Sequence, residues 1–229
     1  MSIWTRIAEN IAAVGNSVGR FLTKLARSRV TVPEKSIGFT IGMIALGAKM
    51  AKADGSVTQD EIMAFKQVFH VPEKDLAAVA RVFNLAKQDT AGYETYARQI
   101  AKLFKSKAPI LEDVLDGLFH IAKADSAVHP AELEYLRRVA AIFGFSETEF
   151  VRVKARHVAP GQYDPYLVLG LDSSAHIDDV KRRYRKLVRE HHPDKHIAAG
   201  VPEELVAIAN ERLQRINEAY GRIMKEHAV

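Results

Sequence analysis

Apolar residues recur along this chain at spacings of three and four, and over no strand-length stretch do they alternate with period two. The first pattern lines one face of a helix, whereas alternation is what a half-buried strand needs. The expectation is an all-α protein without a sheet. Leu111, Val114, Leu115, Leu118, Phe119 and Ala122 form one apolar face, and similar faces lie around 41–50, 62–69, 76–85, 93–104, 133–143 and 150–157. Asp54-Gly55, Val71-Pro72, Ala108-Pro109, His129-Pro130 and Gly144 punctuate them, as glycine and proline do between helices.

Three parts separate. In an N-terminal arm, 1–30, Ile3, Ile7, Ile11, Val14, Val18, Leu22 and Leu25 give an amphipathic helix, which Val32-Pro33 is expected to end. A helical part covers 31–160. The third part, 163–229, follows the Pro160-Gly161 break. There a short apolar run (Tyr166, Leu167, Leu169, Leu171) and a turn at Asp172-Ser173-Ser174 precede a helix striped by Ile177, Val180, Tyr184, Leu187 and His191. That helix must stop at Pro193, and a last one opens after Pro202, with Leu205, Ile208, Ala209, Leu213, Ile216 and Tyr220 on its stripe. Two antiparallel helices joined by a loop of about ten residues make an αα-hairpin.

Composition excludes several classes. Of 229 residues 48% are hydrophobic and 27% charged, as in folded globular chains. No cysteine is present, so disulfides, cysteine-ligated zinc and thiol catalysis are ruled out. The net charge of +5 divides unevenly: the arm has five bases against Glu9, 31–162 has 17 bases against 16 acids, and 163–229 has 11 of each. With the excess in the arm, and no aromatics interleaved with the bases, nucleic-acid binding is not expected. No nucleophile–base arrangement or phosphate-cradling glycine loop stands at meaningful spacing, so the chain is not expected to be an enzyme or to need a cofactor. No secretory signal is evident, and no apolar stretch reaches the roughly 20 residues of a spanning helix.

The helical part repeats itself. Met50-Ala51-Lys52-Ala53-Asp54-Gly55-Ser56-Val57, followed by Glu61, matches Ile121-Ala122-Lys123-Ala124-Asp125-Ser126-Ala127-Val128, followed by Glu132, at an offset of 71 residues. Two related helical halves are implied. Each motif reads as a helix end, a turn and a new start: Thr58 with Glu61 forms a capping box, and Pro130 takes a first helical position. Asp54, Glu61, Asp125 and Glu132 also invite a metal reading. In an EF-hand register, however, the first and third positions fall on Met50 and Lys52, or Ile121 and Lys123, which offer no ligand oxygen. These four acids stay as candidates for an acidic or metal site beside the capping reading.

Five blocks in the third part carry a specific resemblance. They are Asp164-Pro165-Tyr166-Leu167-Val168-Leu169-Gly170-Leu171, Asp178-Asp179-Val180-Lys181, Tyr184-Arg185-Lys186-Leu187, His192-Pro193-Asp194-Lys195 and Gln214-Arg215-Ile216-Asn217-Glu218-Ala219-Tyr220. In order and spacing they resemble a J domain. Arg183 departs from the small residue usual in that family, and if it faces the hairpin seam its guanidinium must reach out to solvent. On a 3.6-residue period Lys181, Arg182, Arg185 and Arg189 share one arc away from the apolar stripe. Such a face steers an acidic partner, and Asp194 offers a carboxylate suited to a bidentate arginine. The resemblance implies that the partner is DnaK: the basic helix would meet its acidic surface, and His192, Pro193 and Asp194 would engage its interdomain junction and trigger ATP hydrolysis. A metal held by His191, His192 and His196 is not expected, because Pro193 breaks the helix that would align the last two.

The repeated Ala-Lys-Ala-Asp-x-x-Val-x-x-x-Glu pattern resembles the TerB-like domain. With a C-terminal J domain, that order is similar to DjlA-type co-chaperones, whose N-terminus generally carries a membrane helix. The resemblance implies a co-chaperone whose TerB-like domain targets or regulates it. The alternative is a TerB-like metal- or stress-response module with the J domain as accessory. The arm could lie on an anionic membrane, with Trp4 near its start, or it could pack on the TerB-like core or self-associate; Gly15 and Gly19 weaken an isolated helix. The location expected is cytoplasmic, with membrane contact at most peripheral at the inner face through 1–30. Client binding or self-association through the TerB-like domain is a further expectation.

Overall fold

The computed structural model describes residues 7, 9, 18, 20, 22–23, 32–50, 63, 73, 76–88, 92–104, 109–124, 128–157, 163–192, 194–195 and 206–227. Among these there are nine helices and no strand. They are α1 (Val32–Met50), α2 (Leu76–Gln88), α3 (Tyr93–Leu103), α4 (Pro109–Ala122), α5 (Pro130–Ile142), α6 (Glu147–Arg156), α7 (Pro165–Leu169), α8 (Ile177–Glu190) and α9 (Val206–Glu226). None is long and apolar enough to cross a membrane.

Two helices sit at the centre of the first body. From Ile41 to Ala48 every residue of α1 is buried, as is every residue of α4 from Ile110 to Phe119. A helix buried on all sides must be surrounded by others. α1 packs on α2, α3 and α4, while α4 also packs on α5 and α6. These are the helices that end in the repeated motif: Met50 is the last residue of α1, and Ile121-Ala122 closes α4. The rest of the first copy, with Asp54 and Glu61, lies outside the described residues, as does Asp125.

Local chemistry sets the helix ends. Proline opens α5, and His129 caps it through Nδ1, which accepts from the Ala131 N–H at 3.2 Å, while the Glu132 carboxylate accepts from the His129 N–H at 2.8 Å. Gly144, at φ 89°, ends α5 in the left-handed region, where only glycine pays no Cβ penalty. Ser146 and Glu149 then form a capping box for α6. Val32-Pro33, expected to terminate the arm, instead lies in the first turn of α1, where proline's missing N–H is tolerated. Of the arm's apolar stripe, Ile7, Val18 and Leu22 are fully buried in the same hydrophobic core as α1 and α4. Thr23 also accepts a hydrogen bond from Gln99 of α3 at 2.6 Å.

The second body is the hairpin of α8 and α9 with α7 across it. Tyr166, Val168, Leu169, Val180, Leu187, Ile216, Ala219 and Ile223 form its core. The two cores exchange residues: Ala155 of α6 belongs to the second, and Ile208 of α9 to the first. α7 lies on α6, and α9 lies on α4.

Gly42 allows α3 to approach α1 closely, since a Cβ there would stand 2.5 Å from Cγ1 and Cδ1 of Ile100. Gly42→Ala is expected to destabilise the protein by about 1–3 kcal/mol through overpacking. Adding Ile100→Val should recover part of that loss in thermal or denaturant unfolding. Recovery would be absent if the contact were not the cause.

Candidate functional site: the J-domain loop and the ionic junction behind it

The α8 helix presents opposite chemistries on its two sides. His176 caps it by accepting from the Asp178 N–H at 3.3 Å, and Asp178 and Asp179 occupy the first turn, where carboxylates oppose the helix dipole favourably. Val180 and Leu187 face the hairpin core. Arg182, Arg185 and Arg189 are exposed and Lys181 is half-buried. Arg182 pairs with Asp179, whereas Lys181, Arg185 and Arg189 make no ion pair among the described residues.

In the loop beyond His191 the described polar side chains are exposed. His192 and Asp194 are 54% and 85% exposed. The loop is held locally: Nδ1 of His192 accepts from the Asp194 N–H at 3.3 Å, and the Lys195 N–H donates to the His192 carbonyl at 3.0 Å. Pro193 and His196 lie outside the described residues.

His191, one residue earlier, is buried instead, and there the chain enters an ionic network. Glu112, Asp113 and Asp116 project from α4, and Arg152, Arg156 and His157 come from α6 and its C-cap. Arg212 comes from α9, with no solvent exposure. Arg152 Nη2 donates to both Glu112 oxygens at 3.1 Å. Arg156 Nη2 donates to Asp116 at 3.0 and 3.2 Å and lies 2.7 Å from Glu112 Oε1. Arg212 spans the junction. Its Nε donates to Asp116 Oδ2 at 2.6 Å, its Nη2 lies 2.6 Å from Asp113 Oδ1, and its Nη1 donates to His191 Nδ1 at 2.8 Å. An arginine can only donate, so His191 Nδ1 accepts; its proton is on Nε2, which faces Glu112 at 3.9 Å. His157 Nε2 lies 2.8 Å from Asp116, and its ring stacks on Phe119 at 4.9 Å. Nearer solvent, Glu211 of α9 lies 3.5 Å from His120 and 3.8 Å from Lys123.

Three arginines against three carboxylates leave this interior neutral only if both histidines are neutral. Burial alone would raise Glu112 and Asp116, but the guanidinium groups of Arg156 and Arg212 outweigh it and hold both carboxyls far below their ordinary range. Burial pushes His191 well below its usual value, and Arg212 beside it adds to that. His157 is lowered by burial despite Asp116. The Glu211 carboxyl is drawn down to about 2, chiefly by His120. Removing one partner of such a buried set typically costs about 3–5 kcal/mol, since a charge is left without compensation.

Sequence reading assigned His191 to the seam but did not single out Glu112, Asp113, Asp116, Arg152, Arg156, His157 or Arg212. A signal was there: Glu112 with Asp116, and Arg152 with Arg156, stand four apart and so line single helix faces. Arg183 is half-buried, and its Nε donates to the Leu169 carbonyl at 2.9 Å, satisfying the end of α7. Gly170 follows at φ 71°, and a Cβ there would meet Arg152 Cδ at 3.0 Å. Of the acidic candidates only Glu132 is described, and its carboxylate serves the α5 cap.

Comparison with known proteins defines the class first. Residues 164–228 match the DnaJ domain and residues 40–155 match the family described as tellurite resistance protein TerB. With the fold, this makes the chain a J-domain co-chaperone. Three curated relatives are named co-chaperone protein DjlA. That of Photobacterium profundum is 30% identical, covering 93% of this chain and 84% of that protein. That of Vibrio cholerae is 29% identical over 79% and 75%, and that of Coxiella burnetii 30% over 77% and 73%. The chain belongs to the DjlA family of co-chaperones. No solved structure shows significant similarity to it.

The neutral histidines set a pH dependence. Below about 6.5 the unfolded chain protonates histidines that the fold keeps neutral, so stability falls as pH drops through that point. Below about 4 a second decline follows, because unfolded carboxylates protonate while Glu112 and Asp116 remain ionised. Melting temperatures followed by circular dichroism from pH 8 to 3 should fall in these two stages. His191→Gln, which keeps an acceptor for Arg212, should flatten the first. A melting temperature constant between pH 7 and 5 would contradict the neutral assignment.

Proposed function

We propose that His192, Pro193 and Asp194, with Lys181, Arg182, Arg185 and Arg189, form the surface that meets a DnaK-type chaperone and stimulates its ATP hydrolysis. The observation that carries this reading is the exposure of His192 and Asp194 at the end of a helix whose outer face is basic. The basic face orients an acidic partner and speeds encounter. Asp194 then offers both carboxylate oxygens to a guanidinium. The protein itself performs no covalent chemistry; the chaperone supplies the nucleotide site.

The TerB-like body, 31–160, targets or regulates the J domain, 163–229. The burial of Ile7, Val18 and Leu22 supports the arm, 1–30, as part of that body and not as a membrane-lying helix. The place of action is the cytoplasm, where a DnaK-type partner is met. A client or a second copy docks through the TerB-like body.

Single-turnover ATP hydrolysis by a DnaK-type chaperone should accelerate on adding this protein, and His192→Gln or Asp194→Asn should abolish the acceleration. Arg185→Ala with Arg189→Ala should raise the half-saturating concentration roughly three- to tenfold and weaken its salt dependence. Stimulation that survives both loop substitutions would refute the assignment.

A further inference from the structure

The described contacts of His192, Asp194 and Lys195 are all within the loop, so among the described residues these three do not fix where it points. Its root is different. His191 ends α8, its backbone N–H bonds to the Leu187 carbonyl at 2.9 Å, and its ring is held by Arg212 at 2.8 Å. Arg212 is in turn held by two acids of α4 at 2.6 Å each. A guanidinium hydrogen-bonded through Nε and Nη1, with Nη2 in ionic contact with Asp113, is held in position and rotation, because its donors are coplanar at set angles.

The TerB-like side needs this arginine. Glu112, Asp113 and Asp116 meet Arg152, Arg156 and His157 of their own body, and Arg212 brings a further guanidinium to Asp113 and Asp116. Apolar contacts flank the ionic one, with Ile208 in the first core, Ala155 in the second, and Gly170 closed over the Arg152 stem. We propose that Arg212 and His191 are positioning residues for the co-chaperone activity: they lock the J domain to the TerB-like body as one rigid unit, fixing the direction in which the loop meets the chaperone. This rests on the activity proposed above, but its first test does not use the chaperone.

The chain has no cysteine, so single cysteines at exposed Arg98 and Ser173 can carry spin labels on the two bodies of the full-length protein. Pulsed dipolar spectroscopy should give one narrow distance distribution, which Arg212→Met broadens and Arg212→Lys partly restores. Should Arg212→Met fold poorly by circular dichroism, Arg212→Met with Asp113→Asn keeps the cluster neutral and should broaden the distribution equally. In chaperone ATPase assays the same variants should lower maximal stimulation roughly tenfold, within the losses that misplacement causes. Half-saturation should hold, because the basic face is intact. Mere loss of folded protein would raise the half-saturating concentration and spare the maximum. A broad distribution in the unsubstituted chain, or a narrow one in every Arg212 variant, overturns the proposal. Absence of stimulation by the unsubstituted chain refutes the activity instead and leaves the distance result to stand alone.

Discussion

The burial of Arg212 among Glu112, Asp113 and Asp116 constrains everything around it. An ionised side chain taken out of water needs opposite charge and hydrogen bonds close by, or the desolvation penalty destabilises the region. Here the acids come from α4, so α9 must lie along α4. The acids outnumber Arg212, so α6 must bring Arg152 and Arg156 to the same place. His191 must be neutral, because a second cation beside Arg212 would undo the balance. Arrangement of helices and protonation state follow from one charge count.

The consequence is a division of charge by depth. The junction behind the J domain is neutral inside, and the side of α8 away from it keeps free cations in water, where their reach depends on ionic strength. His191 and His192 stand on opposite sides of that division. The first is 3% exposed and belongs to the packing, and the second is open to a partner. Adjacent residues of the same type thus sit in opposite environments, one packed and one in water.

Within the TerB-like body the repeated motif acts as punctuation. Its described acid, Glu132, ties the start of α5 by accepting from the His129 N–H, and Tyr135 one turn later donates to the Leu46 carbonyl of α1 at 2.8 Å. The helix that follows the second motif therefore joins its local cap to a contact with α1. The central helices α1 and α4 differ in one respect: the described side chains of α1 hold no acid, whereas α4 carries three into its interior. That difference lets α4 dock a second domain.

Periodicity, punctuators and caps are local properties, and so the all-helical class, the extents of α2, α3 and α8, the start of α5 at Pro130 and the turn at Asp172 were legible in the amino-acid order. The J-domain blocks were legible for the same reason, since loop, helix stripe and basic arc are all written within one hairpin. The ionic junction was not. Glu112 and Arg152 are 40 residues apart, Asp116 and Arg212 are 96 apart, and charges on separate helices look alike whether they face water or one another. The bond from Arg183 was not legible on the same ground, because the Leu169 carbonyl that receives it is set by how α7 crosses the hairpin. The amino-acid order alone determined which helices form and where the loop between the last two of them falls. The tertiary structure decided which charges leave water, because that depends on the helix each one meets.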